Sequence, residues 1–193
     1  MYEYFNGKLA YKAPTHVVID VSGIGYYVHI SLYTFSQIKD QENCKLFISL
    51  QVREDSHTLY GFATEGEKKL FENLISVSGI GPNTGRMILS SNTPDEIQSA
   101  IVNGQVALIQ KIKGIGPKTA QRLILELQDK LKKQGFEALA TEIQSQSVPD
   151  EALSALVMLG FNKAAAEKVL NAILKTETNL SVEDMIKLAL KRL

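Results

Sequence analysis

Apolar and polar positions alternate through the first third of the chain. Val17, Ile19 and Val21 alternate with His16, Val18 and Asp20. Tyr26, Val28, Ile30 and Leu32 alternate with Tyr27, His29 and Ser31, and Leu46, Ile48, Leu50 and Val52 alternate with Phe47, Ser49, Gln51 and Arg53. A period of two marks strands with one buried face. Gly23-Ile24-Gly25 separates the first two runs as a turn would. With an opening strand near Tyr4–Ala10 and a closing one near His57–Phe62, five short strands fill residues 1–63. That pattern fits a small closed barrel, of which the oligonucleotide-binding (OB) fold is one kind.

At Thr64 the period changes. Thr64-Glu65-Gly66-Glu67 and Thr93-Pro94-Asp95-Glu96 both have the Thr-x-x-Glu form of a capping box. In the second, proline takes the first helical position, where its missing N–H costs little. Leu70, Phe71, Leu74 and Ile75 recur at helical spacing, and short helices are predicted as far as residue 134. Residues 135–147 are low in large apolar groups and carry no Lys or Arg, so they read as a flexible linker. Three further stripes follow: Leu153, Leu156 and Val157; Val169, Leu170, Ile173 and Leu174; and Val182, Met185, Ile186 and Ala189. They predict a three-helix bundle over 148–193, near the lower size limit for independent folding. The expected class is α+β multidomain: an N-terminal five-stranded OB-fold barrel, a central all-α domain over 64–134, a linker and a small bundle.

Composition narrows the function. With 45% hydrophobic and 22% charged residues, disorder and fibrous architectures are excluded. Cys44 is the only cysteine, so no intramolecular disulfide forms and a reducing compartment, the cytoplasm, is expected. No apolar run approaches the ~18 residues of a membrane span, and the N-terminus lacks the pattern of a signal peptide. His16, His29 and His57 share no metal-ligand spacing with one another or with Cys44. Neither a metal nor another cofactor is therefore expected.

Lys plus Arg and Asp plus Glu both number 21, which at face value argues against a nucleic-acid binder. Split by region, the balance reverses. Residues 1–63 carry 5 basic and 6 acidic side chains, 64–134 carry 10 and 7, 135–147 carry 0 and 2, and 148–193 carry 6 and 6. The basic excess lies in the central helices.

Those helices also contain an internal repeat. Val77-Ser78-Gly79-Ile80-Gly81-Pro82-Asn83-Thr84-Gly85-Arg86 recurs as Ile112-Lys113-Gly114-Ile115-Gly116-Pro117-Lys118-Thr119-Ala120-Gln121, with Gly-Ile-Gly-Pro-x-Thr identical in both copies. Two glycines around one apolar residue permit a tight turn and positive φ. The isoleucine can anchor the turn, and proline opens the next helix. Such a turn exposes backbone N–H groups at a helix N-terminus, where donors and dipole together favour an anion. Asn83, Thr84 and Arg86 follow the first copy, and Lys118, Thr119 and Arg122 the second. A nucleotide site is the weaker reading. Neither Gly-x-Gly extends to Gly-x-Gly-x-x-Gly after a strand, and no Gly-x-x-x-x-Gly-Lys-Ser/Thr occurs.

The two copies resemble tandem helix-hairpin-helix motifs, a family of sequence-independent DNA-backbone binders. The whole chain resembles the RuvA family of bacterial Holliday-junction recognition subunits. The likeness rests on Gly23-Ile24-Gly25-Tyr26, Val52-Arg53-Glu54-Asp55 with Leu59-Tyr60-Gly61-Phe62, both hairpins, and Met158-Leu159-Gly160-Phe161. It implies a homotetramer, or two tetramers as an octamer, that holds a four-way DNA junction open and planar. It also implies a UBA-like C-terminal bundle that docks the hexameric ATPase RuvB, with the RuvC resolvase a further partner.

By position, Gly79, Gly81, Gly114 and Gly116 match the phosphate-binding hairpins, Lys118 a basic contact, and Glu54 and Asp55 an acidic pin at the junction centre. Leu156, Leu159 and Phe161 are the expected motor contacts. Asn83 departs from the lysine of many relatives, so the first hairpin lacks a full charge. No catalytic residue is implied in this chain. The alternative is a helix-hairpin-helix DNA-repair glycosylase or lyase, which carries a catalytic aspartate beyond its hairpin in a Gly/Pro-rich setting. Asp129 lies 15 residues past Gly114, inside a helical stripe without that flank. A pure protein scaffold is a third reading, disfavoured by the duplicated anion site.

Overall fold

Five strands open the chain: β1 (Tyr4–Ala13), β2 (His16–Val21), β3 (Ile24–Ile30), β4 (Asn43–Val52) and β5 (His57–Phe62). They close into a barrel in the order β1-β2-β3-β5-β4, with β4 returning to β1 through Tyr4↔Phe47 and its neighbours. Only β3 and β5 run parallel, at His29↔Tyr60 and Ile30↔Gly61. The computed structural model describes residues 2–38, 42–143, 148–176 and 180–193, over 134–143 and 175–176 as backbone alone. The chain forms two units, Met1–Gln134 and Gly135–Leu193.

The alternating pattern does what its period requires, since Val17, Ile19, Val28, Ile30, Leu46 and Ile48 are buried in the barrel core. Its ends differ from expectation. Leu32 is exposed and lies outside any strand; it opens α1 (Leu32–Gln37), whose N-cap Ser31 accepts a hydrogen bond from the Thr34 amide at 2.9 Å. The first turn falls at Ser22-Gly23, with φ of +54° and +88°, and Ile24 and Gly25 already belong to β3. Two consecutive left-handed residues give the turn twist that suits a two-residue hairpin.

The central helices are α2 (Glu65–Ser76), α3 (Pro82–Ser91), α4 (Pro94–Val102), α5 (Val106–Gln110) and α6 (Pro117–Ile143). Tyr60 and Phe62 of β5 pack in the same apolar cluster as Phe71, Leu74, Ile88 and Ile101, which joins barrel and helices into one body. The box at Thr93 forms in full around α4. The one at Thr64 forms by half. Thr64 accepts from the Glu67 amide at 3.1 Å, but the Glu67 carboxylate turns inward. There it accepts from the Ser31 hydroxyl (2.6 Å), the Thr34 hydroxyl (2.7 Å) and the Ala63 amide (3.1 Å). Glu67 is fully buried and ties the start of α1 to the start of α2.

Burial raises the Glu67 carboxyl above its ordinary value, against the three donors that lower it. The folded state therefore binds the proton more tightly, and the stability this gives is lost as pH rises from the ordinary carboxylate range through the raised value. Glu67→Ala strands two buried hydroxyls and one part-buried amide and is expected to cost about 3–5 kcal/mol. Glu67→Gln should recover most of that, and should gain on the wild type as pH rises above the ordinary carboxylate range, because it cannot ionise. Thermal melts of both variants across that range check the sign.

α6 continues to Ile143, across much of the stretch expected to be a linker; residues 144–147 lie outside the described residues. Glu137, Ala138, Leu139 and Ala140 are strong helix formers. A scarcity of apolar residues there removes a packing stripe without removing helix propensity. The second unit contains α7 (Val148–Met158), α8 (Lys163–Thr176) and α9 (Val182–Leu190) around Ala152, Leu156, Leu170, Ile173 and Met185. Among the described residues no helix is long and apolar enough to cross a membrane.

Candidate nucleic-acid interface

The two repeats fold alike, with the same glycine turn and the same backbone hydrogen bonds. After α2, Gly79 turns at φ +92°, Ile80 is buried and donates its amide to the Val77 carbonyl (3.0 Å), and Gly81 becomes the N-cap of α3. After α5, Gly114 turns at φ +90°, and buried Ile115 donates to the Ile112 carbonyl (3.1 Å). Gly116 then leads into α6. Only glycine enters the left-handed region without strain, and the buried isoleucine pins each turn to the core.

The first amides to close a helical bond are Gly85 to Gly81 and Ala120 to Gly116, both at 2.9 Å. Ahead of them the amides of Gly81, Asn83 and Thr84, and of Gly116, Lys118 and Thr119, have no acceptor among the described residues. A Cβ at Gly81 or Gly116 would meet nothing within 4 Å, so both amide sets face open space. Two helix N-termini with free donors and no side chain in front of them can hold phosphate oxygens.

The hairpins also share one surface. Gly79 lies 3.9 Å (from its ideal Cβ position) from Thr119 of α6, and Gly114 lies 3.6 Å from Met87 of α3. Each hairpin thus rests against the helix that follows the other. Within the first hairpin Gly85 lets α3 pack closely on α2, because a Cβ there would press on Ile75 at 3.0 Å and Phe71 at 3.2 Å.

Not every expected contact keeps its place. Lys118 is exposed beside its hairpin, and Arg122 is exposed with Glu126 at 3.9 Å. Arg86 turns away from the first hairpin and donates to the Thr15 carbonyl at 3.0 Å. It lines a cleft of about 400 Å³ with Lys113 of the second hairpin. Asn83 accepts from the Tyr60 hydroxyl at 3.3 Å. Lys111 and Lys113 are exposed on the approach to the second hairpin and were missed in sequence, although their charge and their position beside and within the repeat could have marked them.

Glu54 and Asp55 are exposed at the tip between β4 and β5, where the Arg53 amide bonds the Ser56 carbonyl at 2.8 Å. In the second unit one expectation fails. Leu156 is fully buried in the bundle core and cannot meet a partner, because it belongs to the same apolar cluster as Leu170 and Met185. Leu159 is 61% exposed, Phe161 packs partly against the core, and Met158, not singled out in sequence, is 88% exposed. Among the described residues no three His, Cys, Asp or Glu side chains gather as metal ligands.

Comparison with known proteins matches the chain in three segments. Residues 1–61 match the RuvA N terminal domain, residues 71–129 the SAM-like helix-hairpin-helix tandem, and residues 147–193 the RuvA C-terminal domain. The Holliday junction branch migration complex subunit RuvA of Cytophaga hutchinsonii is 51% identical over 99% of this chain and 99% of its own. The protein of the same name from Christiangramia forsetii is 51% identical over the whole of both chains. That from Porphyromonas gingivalis is 41% identical, again over both full lengths.

Proposed function

Since the chain belongs to the RuvA family, we propose that it is the four-way-junction-binding subunit of a branch migration complex. The observation that carries this reading is the pair of matched hairpins on one surface, each with free amides ahead of a helix. Backbone donors read phosphate and carry no sequence information. Binding is therefore independent of arm sequence and falls steeply with salt. A mobility shift comparing a synthetic four-way junction with linear duplex of the same sequences tests it. Equal affinity for both, or strong dependence on arm sequence at fixed salt, counts against it.

Four copies of the chain around the junction would place four acidic tips together. Carboxylates repel phosphates, so Glu54 and Asp55 favour separated strands over continuous duplex. Changing both to amides (Glu54→Gln with Asp55→Asn) is expected to lower the preference for junction over duplex about five-fold, which corresponds to ~1 kcal/mol of screened repulsion. Unchanged discrimination in a competition assay removes that role.

The chain itself binds and does not catalyse. The motor RuvB supplies ATP hydrolysis and is recruited through the C-terminal bundle, with Met158 and Leu159 exposed for contact and Leu156 holding the core. RuvC meets the same assembly on the junction. The glycosylase or lyase alternative finds no support, because Asp129 lies within α6 with no Gly/Pro-rich flank.

A further inference from the structure

The two repeats differ in the side chain that follows the helix-opening proline: Asn83 in the first, Lys118 in the second. Lys118 is exposed, and no ion pair holds it among the described residues. Asn83 is exposed too, but it is held. The Tyr60 hydroxyl donates to its Oδ1 at 3.3 Å. Tyr60 stands on β5 and is only 4% exposed, with its ring 5.2 Å from that of Phe71 and 5.6 Å from that of His29. A ring packed on both sides cannot swing, so its hydroxyl is a fixed post on the barrel. Burial raises the phenol above its ordinary value, against the nearby Arg86 and Arg53 that lower it, and the hydroxyl keeps its proton as a donor.

That bond sets the direction of the amide. Oxygen and nitrogen diverge from one planar carbon, so engaging Oδ1 on the barrel side turns Nδ2 the other way. Nδ2 carries two N–H donors, and they meet no acceptor among the described residues. Asn83 is the second residue of α3, beside the free backbone amides of Gly81, Asn83 and Thr84. Donors of backbone and side chain thus converge on the space in front of one helix.

We propose that Tyr60 is a positioning residue for DNA binding, whose hydroxyl holds Asn83 with Nδ2 facing the phosphate site of the first hairpin. The first hairpin then grips phosphate through oriented neutral donors, where the second adds a charge. This rests on the reading of the hairpins as phosphate sites. The two modes differ in salt dependence. A cation on a phosphate releases counterions and steepens the salt slope by about 0.9 per contact, whereas a neutral donor adds affinity without steepening it.

The test titrates the full chain with a four-way junction and with linear duplex, from about 50 to about 200 mM salt. Asn83→Ala is expected to weaken binding about ten-fold at every salt concentration and to leave the slope unchanged. Tyr60→Phe keeps the ring and removes only the hydroxyl, and should weaken binding about three-fold. Added to Asn83→Ala, it should cost nothing further. Asn83→Lys should steepen the slope. Asn83→Asp still accepts from Tyr60 but sets a carboxylate against the phosphate, and should bind more weakly than Asn83→Ala.

Wild-type affinity in Asn83→Ala overturns the proposal, as does a slope that flattens with that change. A Tyr60→Phe loss that persists undiminished in the Asn83→Ala background assigns the hydroxyl to the fold alone and also overturns it. Failure of the junction reading is separate: it appears as equal affinity for junction and duplex, with the dependence of Tyr60 on Asn83 still measurable on either. A wild type that binds neither DNA overturns both.

Discussion

Replacing Gly81 and Gly116 together by valine is expected to leave the chain folded and to reduce four-way-junction affinity a hundred-fold or more. Neither glycine has a positive φ of the kind found at Gly79 and Gly114, and a Cβ at either would meet no protein atom within 4 Å. The cost to folding is that of a poorer N-cap, about 1 kcal/mol at each. The isopropyl groups would occupy the space in front of the free amides, where a phosphate must come. A hydrogen bond to a charged group contributes about 1.5–3 kcal/mol, and each tenfold in affinity is about 1.4 kcal/mol. Two blocked hairpins therefore exceed a hundred-fold.

Gly79→Val with Gly114→Val makes the contrast. There the left-handed backbone is itself incompatible with a β-branched side chain, so binding and melting temperature should fall together. Thermal melts beside mobility shifts on both pairs distinguish a blocked site from a broken one. Wild-type affinity in the Gly81/Gly116 pair would falsify the amide-to-phosphate contact.

The second large effect concerns the C-terminal unit. Deleting residues 148–193 is expected to preserve junction binding and to abolish ATP-driven branch migration by added RuvB. The bundle has its own core, distinct from both apolar clusters of the first unit, so its loss should leave those clusters packed. Point variants divide the effect further. Leu156→Ala empties a fully buried position and should cost the bundle about 2–5 kcal/mol. Met158→Asp with Leu159→Asp alters two exposed side chains and should leave the fold intact while weakening recruitment. Loss of junction binding on deletion, or undiminished branch migration with Met158 and Leu159 changed, contradicts this division of labour.

Much of the molecule could be read before folding. The buried faces of β2, β3 and β4 followed from alternation at Val17, Ile19, Val28, Ile30, Leu46 and Ile48, because a sheet turns successive side chains to opposite sides. The hairpins followed from a repeated Gly-Ile-Gly-Pro, because left-handed glycine, buried isoleucine and first-turn proline leave the chain little other choice. Short or ambiguous segments escaped. Helix α1 is six residues long and begins directly after a strand, so Leu32 extended the strand's pattern by coincidence. The stripe at Leu153, Leu156 and Val157 marked an amphipathic helix without saying which of its neighbours would stay outside.

By itself the sequence determined the kinds of structure and their order, a barrel, paired hairpins and a bundle, since periodicity and glycine conformation are local. It also located the basic excess that a neutral total concealed. The tertiary structure alone decided which groups meet. It placed Arg86 on the Thr15 carbonyl and Glu67 among three donors, and put each hairpin against the helix following the other. It stacked Tyr11, His16 and Tyr27 of three neighbouring strands on one another. The Arg86–Thr15, Glu67–Ser31 and Glu67–Thr34 bonds and the hairpin packing join residues tens of positions apart, and no local pattern encodes them; they arise only when strand register and helix packing fix the distances between side chains.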